Sequence, residues 1–345
     1  MVIELGTLLA QSGRSDLLPV RKLLARLLDN EEDSARLIRE EKLRHRVYRV
    51  LFEVNGVCRS LIVKSSRVER AERSRMTLRY WLPAVGLDHI GPVLLGATQQ
   101  QNGAIWNVYV DHGRRTLIDD PSDSAAATAA IRTVAELHSR FMGHSLLAEC
   151  RNSGQTLDPY VYESSVMAAL SALESIEDLV GVTDAAILQE SLTKRLRVLA
   201  QEVGLRTRLL KTLSGPQTLL HGDLYPSNIV LPNGLDGPLS RIVDWDHLGV
   251  GPVGFDLVFL LGNLSEELRL DALECYRSLM RNLFDRWPTE REWNTLFDTF
   301  QFVRLAKCVT SFANAILVGE VEYGVRKLRD ADQWFQDVRP VLPVT

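Results

Sequence analysis

The sequence lacks an excess of positive charge, a long apolar run and a paired cysteine motif. Forty Lys and Arg residues stand against 44 Asp and Glu residues, giving a formal net charge of -4, whereas general binding to nucleic acid or to a membrane surface needs a basic excess. No stretch approaches the roughly 18 apolar residues of a membrane span. The four cysteines have no Cys-x-x-Cys spacing, which indicates neither a zinc site nor a disulfide framework. The N-terminal stretch also has no basic leader followed by an apolar core, so we expect a protein of the reducing cytoplasm.

The first third of the chain predicts a small antiparallel sheet that carries one helix. Residues 17–28 place apolar side chains at helical spacing and predict an opening helix. Strand-forming runs flank Asn55-Gly56, and a similar pair flanks Asn102-Gly103, and an Asn-Gly pair between such runs is a strong hairpin signal. Between the two hairpins, residues 67–82 return to a helical pattern.

The rest of the chain is mostly helical in pattern. Residues 122–142 predict one helix, residues 160–213 predict two or three, and about four more end the chain. The change from strand-like to helical sequence patterns places a domain boundary between residues 110 and 111, which gives domains 1–110 and 111–345.

Two short motifs carry the chemical signal. Asp223, Asn228 and Asp244 follow or end short apolar runs in "LLHGDLYPSNIVL" and "RIVDWD", so we expect them at the mouths of neighbouring strands. Carboxylate and amide oxygens are the hard ligands that Mg2+ prefers, and bound phosphates supply the remaining ligands. A carboxylate that is not on the metal is able to orient an attacking hydroxyl. The set is therefore sufficient for a phosphotransferase.

The combination of "HGDLYPSNIVL" with "IVDWDHLGVGPVGFDL" resembles the aminoglycoside phosphotransferase and choline kinase family. The resemblance implies an α+β, bilobal, protein-kinase-like fold with a small antiparallel-sheet N-terminal lobe carrying one helix and a larger, mostly helical C-terminal lobe. It implies that Asp223 is the catalytic aspartate and that Asn228 and Asp244 hold Mg2+. By the same resemblance His221 braces the catalytic loop, and Asp256 occupies a supporting position.

A kinase-like fold also implies residues for the nucleotide. A lysine at the end of the third strand and a glutamate on the next helix would position the phosphates. Lys64 ends "SLIVK", and of the two helix candidates, Glu69 and Glu72, we choose Glu72. Backbone groups of Val110 and His112 would bind adenine after the strand "WNVYV".

The loop expected to cover the phosphates contains no glycine. It reads "LIREEKLRHRVYRV", so its basic residues would supply side-chain charge in place of backbone amides, or the loop would not touch phosphate. The candidates are Lys42, Arg44, His45 and Arg46.

A second glycine pattern suggests a different nucleotide fold. Gly249, Gly251 and Gly254 spell G-x-G-x-x-G after a strand, as in dinucleotide-binding proteins. We reject that interpretation because Pro252 interrupts the pattern and a helical rather than strand-like sequence follows. We expect these glycines to form a flexible loop after Asp244.

The sequence thus predicts an enzyme that moves the γ-phosphate of ATP or GTP, with Mg2+, to a hydroxyl of an antibiotic or other hydroxylated natural product. A kinase of primary metabolism, acting on a sugar, a choline-like compound or an amino alcohol, is the alternative; an inactive nucleotide-binding regulator is the alternative of another class. Asp158, Glu163 and Glu174 are either contacts for a cationic acceptor or helix surface. We expect neither nucleic acid nor membrane as a partner, and the oligomeric state stays open.

Overall fold

A computed structural model describes residue 23 and residues 36–44, 46–54, 56–99, 103–176, 184–231 and 240–343. In these ranges the strands are β1 (Arg36–Arg44), β2 (Val47–Val54), β3 (Val57–Ser66), β4 (Leu94–Gln99), β5 (Ile105–Val110), β6 (Gln155–Thr156), β7 (Gln217–Leu220), β8 (Ile229–Val230), β9 (Arg241–Ile242) and β10 (Gly249–Pro252). The opening helix predicted at 17–28 lies outside the described residues except for Leu23.

The helices are α1 (Val68–Met76), α2 (Leu82–Ala84), α3 (Ser124–Phe141), α4 (Leu147–Ser153), α5 (Val161–Glu174), α6 (Asp184–Gln201), α7 (Val203–Leu213), α8 (Gly254–Leu261), α9 (Glu266–Met280), α10 (Glu290–Leu317) and α11 (Val321–Asp337). A π-helical turn, Thr77–Trp81, joins α1 to α2, so the predicted helix over residues 67–82 is present. The helical pattern predicted from residue 121 onward is also present.

The chain divides into two compact units, and the division is not at the predicted boundary of 110/111. The first unit comprises Met1–Thr133 with Tyr225–Leu248, and the second comprises Val134–Leu224 with Gly249–Thr345. The segment 225–248 belongs to the first unit because its backbone bonds there. Leu231 N–H donates to the Arg115 carbonyl at 2.9 Å, and Ile242 N–H donates to the Ile90 carbonyl at 2.7 Å. A boundary placed where strand-like patterns change to helical ones cannot show that a later segment of the chain belongs to the first unit.

The first unit is built on an antiparallel sheet with the strand order β1-β2-β3-β5-β4 in the described residues. Both predicted hairpins are formed: β2 pairs with β3 from Val54 opposite Val57, and β4 pairs with β5 from Gln99 opposite Ile105. Gly56 has a φ of 76°, which explains the need for glycine in the first turn.

Strand β1 was expected to be a loop. Residues 36–44 pair antiparallel with β2 along the edge of the sheet, and the connection to β2 contains Arg46 with a φ of 60°. The strand is rich in charged residues and exposes even Ile38. This composition lacks the alternation of apolar and polar residues that predicts a strand, and charged side chains are common on edge strands.

The second unit is mostly helical around a short sheet of order β6-β10-β7 among the residues described. Helix α10 packs against α5 and α11, and its buried face includes Trp293, Phe297 and Phe300. The predicted helices over 160–213 are α5, α6 and α7, and the break between α6 and α7 lies at Glu202.

Two of the three glycines expected in a flexible loop after Asp244 lie in a strand, and the third, Gly254, begins α8. Gly249 and Gly251 lie in β10, which pairs antiparallel with β7 and parallel with β6. A Cβ added at Gly249 would stand 2.8 Å from the Gln155 carbonyl oxygen, and one at Gly251 would stand 2.7 Å from Leu157 Cβ. These glycines are therefore required by close packing and not by flexibility.

The buried carboxylate of Asp256 fixes the backbone of the His-Gly-Asp motif. This fully buried side chain accepts hydrogen bonds from His221 N–H at 2.7 Å and Gly222 N–H at 2.9 Å. His138 Nε2 lies 3.3 Å from the same carboxylate, and His138 Nδ1 lies 2.8 Å from the Tyr276 hydroxyl. The position of Asp256 agrees with the supporting role implied for it, whereas nothing in the sequence marked His138 or Tyr276 as its partners.

Replacing Asp256 by Asn should destabilise the second unit by roughly 2 kcal/mol or more, since an amide oxygen is a weaker acceptor and the new NH2 donor faces backbone donors. Urea unfolding measures the loss. Asp271→Asn, which changes an exposed aspartate on α9, is the control and should stay within about 0.5 kcal/mol of the unaltered protein. Equal stabilities for the two variants would contradict the anchoring role of Asp256.

Candidate active site

The first unit contains a cavity of about 260 Å3. Its walls come from the facing ends of β1 and β2, from β3, from the end of β5, from the residues just before β8 and from those just after β9. Its lining combines apolar side chains with charged ones. Among them are Arg44, Arg49, Lys64, Tyr109, Val110, Asp111, His112, Asn228, Asp244 and Trp245. The structure therefore places Lys64, Val110, His112, Asn228 and Asp244 around one space. Tyr109 is buried and lies at the cavity wall.

Lys64 joins strand β3 to the segment that follows β9. Its Nζ lies 2.6 Å from Asp244 Oδ1 and 2.7 Å from Asp246 Oδ1. Asp246 lies in the single helical turn Trp245–His247 and also accepts a hydrogen bond from Ser74 Oγ at 3.2 Å. The Lys64 and Asp246 side chains are only 13% and 9% exposed, so water screens their attraction poorly.

The pair predicted between Lys64 and Glu72 is replaced by the pair between Lys64 and Asp246. Glu72 Oε2 instead bonds Arg75, 2.5 Å from its Nη2, on the outside of α1. Residues three apart on a helix are neighbours, so Arg75 reaches Glu72 at little conformational cost. The motif "DWD" places a second carboxylate, Asp246, two positions after Asp244, and this was the available sequence signal for a pair with Lys64. Glu72 was chosen instead because of its position in the helix that follows β3.

Asp244 has an unusual backbone conformation. Its φ of 72° and ψ of 55° lie in the left-handed region, which costs energy for a residue with a side chain and is frequent at functional sites. Asn228, 1% exposed, lies next to this segment because its carbonyl accepts a hydrogen bond from Val243 N–H at 2.9 Å. One carboxylate and one amide oxygen are a donor set that fits Mg2+. The two residues predicted to hold the metal are therefore neighbours in the first unit.

Arg44 brings positive charge from the glycine-free turn to the same place. Its Nη1 donates to Asn228 Oδ1 at 3.2 Å, and its Nη2 lies 3.4 Å from the Ser227 carbonyl oxygen. Lys42 and Arg46 are exposed, and His45 lies outside the described residues.

The segment after β5 is held by hydrogen bonds that the sequence did not predict. Val110 N–H donates to the Val93 carbonyl at 3.0 Å, so this N–H is engaged within the protein. The contact of adenine with backbone groups of Val110 and His112 stays a prediction. Asp111 accepts from Arg49 Nε at 2.5 Å and from Ser60 Oγ at 2.7 Å. His112 Nε2 accepts a hydrogen bond from Val93 N–H at 3.4 Å. Burial, followed by the nearby Arg241 charge, lowers the pKa of His112 to about 4, so the ring is a neutral acceptor at pH 7.

Asp223 belongs to the second unit and is paired with a residue far away in sequence. Its Oδ1 lies 2.6 Å from Arg304 Nη2 on α10. The Arg304 guanidinium stands 4.7 Å from the centre of the Phe259 ring, a cation–π contact that helps to fix its orientation. Arg304 has no sequence signal, because no motif surrounds it and it lies 81 positions from Asp223.

Comparison with known proteins identifies the family. Residues 36–293 match the model of the Phosphotransferase enzyme family, APH. The match covers well over half of the chain, and the chain belongs to this family. The relationship suggested by the two motifs is thereby confirmed.

Solved structures with the same fold are distant in sequence. A GDP complex of a mutant aminoglycoside 2'-phosphotransferase of type IIIa has 15% identity and a TM-score of 0.59, with 92% of this chain and 97% of that chain covered. Ethanolamine kinase of Plasmodium vivax has 14% identity and a TM-score of 0.59, with 92% and 89% covered. Macrolide 2'-phosphotransferase MphH of Brachybacterium faecium has 17% identity and a TM-score of 0.55, with 91% and 97% covered. The predicted kinase-like fold is confirmed. No curated protein matches the sequence, and no helix in the described ranges is long and apolar enough to cross a membrane.

The two candidate partners of Lys64 are separable by mutation. Asp246→Asn should lower the free energy of unfolding by roughly 2 kcal/mol or more, because a poorly exposed ammonium loses one of its two carboxylates. Glu72→Gln should change it by less than about 0.5 kcal/mol, since its ion pair with Arg75 is solvent-exposed. Denaturant titration of both variants decides the matter, and a larger loss for Glu72→Gln would contradict the assignment.

The lowered pKa of His112 predicts a pH dependence of stability. The unfolded state takes up a proton at this ring near its ordinary pKa of 6.5, and the folded state does so only near 4. The contribution of His112 is therefore complete above pH 6.5 and decreases as the pH falls toward 4. Between pH 7 and pH 5 the unaltered protein should lose more stability than His112→Gln, whose side chain still offers an acceptor. Parallel stability curves would contradict this account.

Proposed function

We propose that this protein transfers the γ-phosphate of ATP or GTP to a hydroxyl group of a small hydroxylated molecule, with an antibiotic or other natural product as the first candidate acceptor. The observation that carries the proposal is the arrangement of Lys64, Asp244, Asn228 and Arg44 around one cavity. A cation between carboxylates, next to an amide and a guanidinium, is suited to the charged end of a nucleoside triphosphate.

The residues of the first unit would bind and orient the donor. Lys64 and Arg44 would contact phosphate oxygens, and the segment 110–112 would line the base. Asn228 and Asp244 would hold Mg2+, which supplies charge neutralisation for the phosphates. Such a site lowers the barrier chiefly by positioning and electrostatic stabilisation.

Asp223 would orient the acceptor hydroxyl and receive its proton as the oxygen attacks. Arg304 bonds one carboxylate oxygen, which fixes the orientation of the carboxylate. Asp256 positions the backbone of His221 and Gly222 just before Asp223. Arg304 and Asp256 are thus positioning residues, and Asp223 is the proposed catalytic residue.

Structures with the same fold support the choice of donor and acceptor. One is described as a GDP complex of an aminoglycoside phosphotransferase, and another as a macrolide phosphotransferase. The likeness to an ethanolamine kinase favours the second candidate, a kinase of primary metabolism. The four cysteines, all within the described ranges, are free thiols, which supports the proposed cytoplasmic location.

The decisive experiment measures label transfer from radiolabelled ATP and GTP, with Mg2+, to a panel of hydroxylated antibiotics, sugars and amino alcohols. Asp223→Asn should reduce turnover by about 100-fold to 10,000-fold, the range for loss of general acid–base catalysis, while nucleotide affinity stays nearly unchanged. Asp271→Asn, an exposed aspartate of the same unit, should behave like the unaltered protein. Near-normal turnover in Asp223→Asn would remove this residue from the mechanism.

A further inference from the structure

Both residues proposed to hold the metal are engaged by cationic side chains of the first unit. Lys64 Nζ lies 2.6 Å from Asp244 Oδ1. Arg44 Nη1 donates to Asn228 Oδ1 at 3.2 Å, and all four residues line the same cavity. A divalent cation bound to either oxygen would stand beside a positive charge, and a poorly exposed site screens such a repulsion weakly. As they stand, the two contacts therefore oppose metal binding.

The two carboxylates that share Lys64 differ in their surroundings. Asp244 lines the cavity, and its side chain is 29% exposed. The Asp246 side chain is only 9% exposed and does not belong to the cavity lining that the described residues form. Asp244 therefore faces the space in which a nucleotide would bind, whereas Asp246 lies outside it.

Contacts from α1 and β3 hold Asp246 in place. Ser74 Oγ of α1 donates to Asp246 Oδ1 at 3.2 Å, and Ser66 Oγ of β3 lies 3.5 Å from Asp246 Oδ2. Arg73 Nη1 of α1 donates to the Asp246 backbone carbonyl at 2.6 Å. A poorly exposed carboxylate that keeps several donors is costly to move, since each donor would lose an acceptor. The pair between Lys64 and Asp246 is therefore the more durable of the two.

From these contacts we infer that Lys64 and Arg44 exchange partners when a nucleoside triphosphate binds. Lys64 leaves Asp244 for a phosphate oxygen and keeps its contact with Asp246. Arg44 leaves Asn228 for a second phosphate oxygen, so each cation keeps the same number of acceptors. Asp244 and Asn228 are then able to hold Mg2+, and Asp246 is the positioning residue that retains Lys64 in the site. The inference rests on the proposed function for the donor and the metal.

The charges of the site stay compensated before and after this exchange. Before it, the Lys64 ammonium compensates two carboxylates whose charges water screens poorly. After it, the phosphates compensate Lys64 and Arg44, because ammonium and guanidinium groups form charge-assisted hydrogen bonds with phosphate oxygens. Metal binding by Asp244 and Asn228 thus becomes dependent on the nucleotide.

The first test measures metal binding by the full-length protein in the absence of nucleotide. Mn2+ is the probe, because oxygen ligands suit Mg2+ and Mn2+ alike and the paramagnetic resonance signal of free Mn2+ disappears on binding. Lys64→Gln should bind Mn2+ at least about tenfold more tightly than the unaltered protein, and Arg44→Gln at least about threefold, since each variant loses a like charge at a metal ligand.

Arg114→Gln is the matched control for the loss of a positive charge. Arg114 lines the same cavity but pairs with Glu41 at 2.7 Å, so the Mn2+ affinity of this variant should stay within about twofold of the unaltered protein. A Lys64→Gln affinity no higher than that of the unaltered protein, or an equal gain in Arg114→Gln, overturns the inference. If Lys64→Gln does not fold, the comparison of Arg44→Gln with Arg114→Gln decides, because Arg44 is exposed.

The second test separates the two carboxylates. Calorimetry gives the affinity for the β,γ-imido analogues of ATP and GTP, once with Mg2+ and once with a chelator. Asp244→Asn should lose the gain in affinity that Mg2+ gives, but in the chelator it should bind at least as tightly as the unaltered protein, because Lys64 leaves no carboxylate there. Asp246→Asn should weaken binding about tenfold under both conditions, because Lys64 then stays with Asp244.

Asp88→Asn, which changes an exposed aspartate of the first unit, is the control for this test and should match the unaltered protein. If Asp246→Asn does not fold, Ser74→Ala, which removes a donor to Asp246, takes its place with the same direction of change. Equal losses for the Asp244 and Asp246 variants in the chelator, or a loss in Asp246→Asn that occurs only with Mg2+, overturn the separate roles.

Failure of this inference is distinguishable from failure of the proposed function. Both tests measure binding without phosphate transfer, and the label-transfer assay with Asp223→Asn measures transfer. Transfer that is lost in Asp223→Asn, together with no gain of Mn2+ affinity in Lys64→Gln, retains the proposed function and overturns the exchange. The expected changes in both binding tests, without transfer to any compound, retain the exchange and count against the proposed reaction.

Discussion

The contact of the Lys64 ammonium with Asp244 and Asp246 is the interaction on which the cavity of the first unit depends. It joins β3 to a segment 180 positions later in the sequence and fixes a carboxylate whose backbone is in the left-handed region. Poorly exposed charges of this kind are stable only as a complete set, since removal of one partner leaves an uncompensated charge. The same contact explains why Glu72 is free to pair with Arg75 on the surface of α1.

In the second unit the carboxylate of Asp256 fixes the backbone through hydrogen bonds. Asp256 accepts two consecutive N–H groups at the start of the His-Gly-Asp motif, and hydrogen bonds to an ionised acceptor are stronger than neutral ones. Asp223 follows immediately, and Arg304 fixes its side chain. The orientation of the proposed catalytic carboxylate thus depends on one backbone anchor and one side-chain anchor, which lie 33 and 81 positions away in the sequence.

The absence of glycine between β1 and β2 has a structural counterpart in Arg44. A glycine-rich turn binds phosphate with backbone N–H groups, whereas here a guanidinium reaches the neighbourhood of Asn228. A side chain of this kind supplies a full charge and several donors in a planar fork that matches phosphate oxygens. The glycine-free turn is therefore compatible with phosphate binding, which weakens the alternative that the protein is an inactive regulator.

Local sequence patterns were enough to predict the two hairpins, the order of sheet and helices, and the family. Turn residues and side-chain periodicity act over a few positions, and "HGDLYPSN" with "DWD" carries the pattern of the site. The position of β1 as a strand, the contact of Lys64 with Asp246 rather than Glu72, and the contact of Arg304 with Asp223 became visible only in the folded chain. A charged edge strand such as β1 does not alternate apolar and polar residues. Ion pairs between residues 81 or 180 positions apart form only where the folded chain brings distant segments together. The meeting of these segments is set by the packing of the whole unit and leaves no local pattern in the sequence.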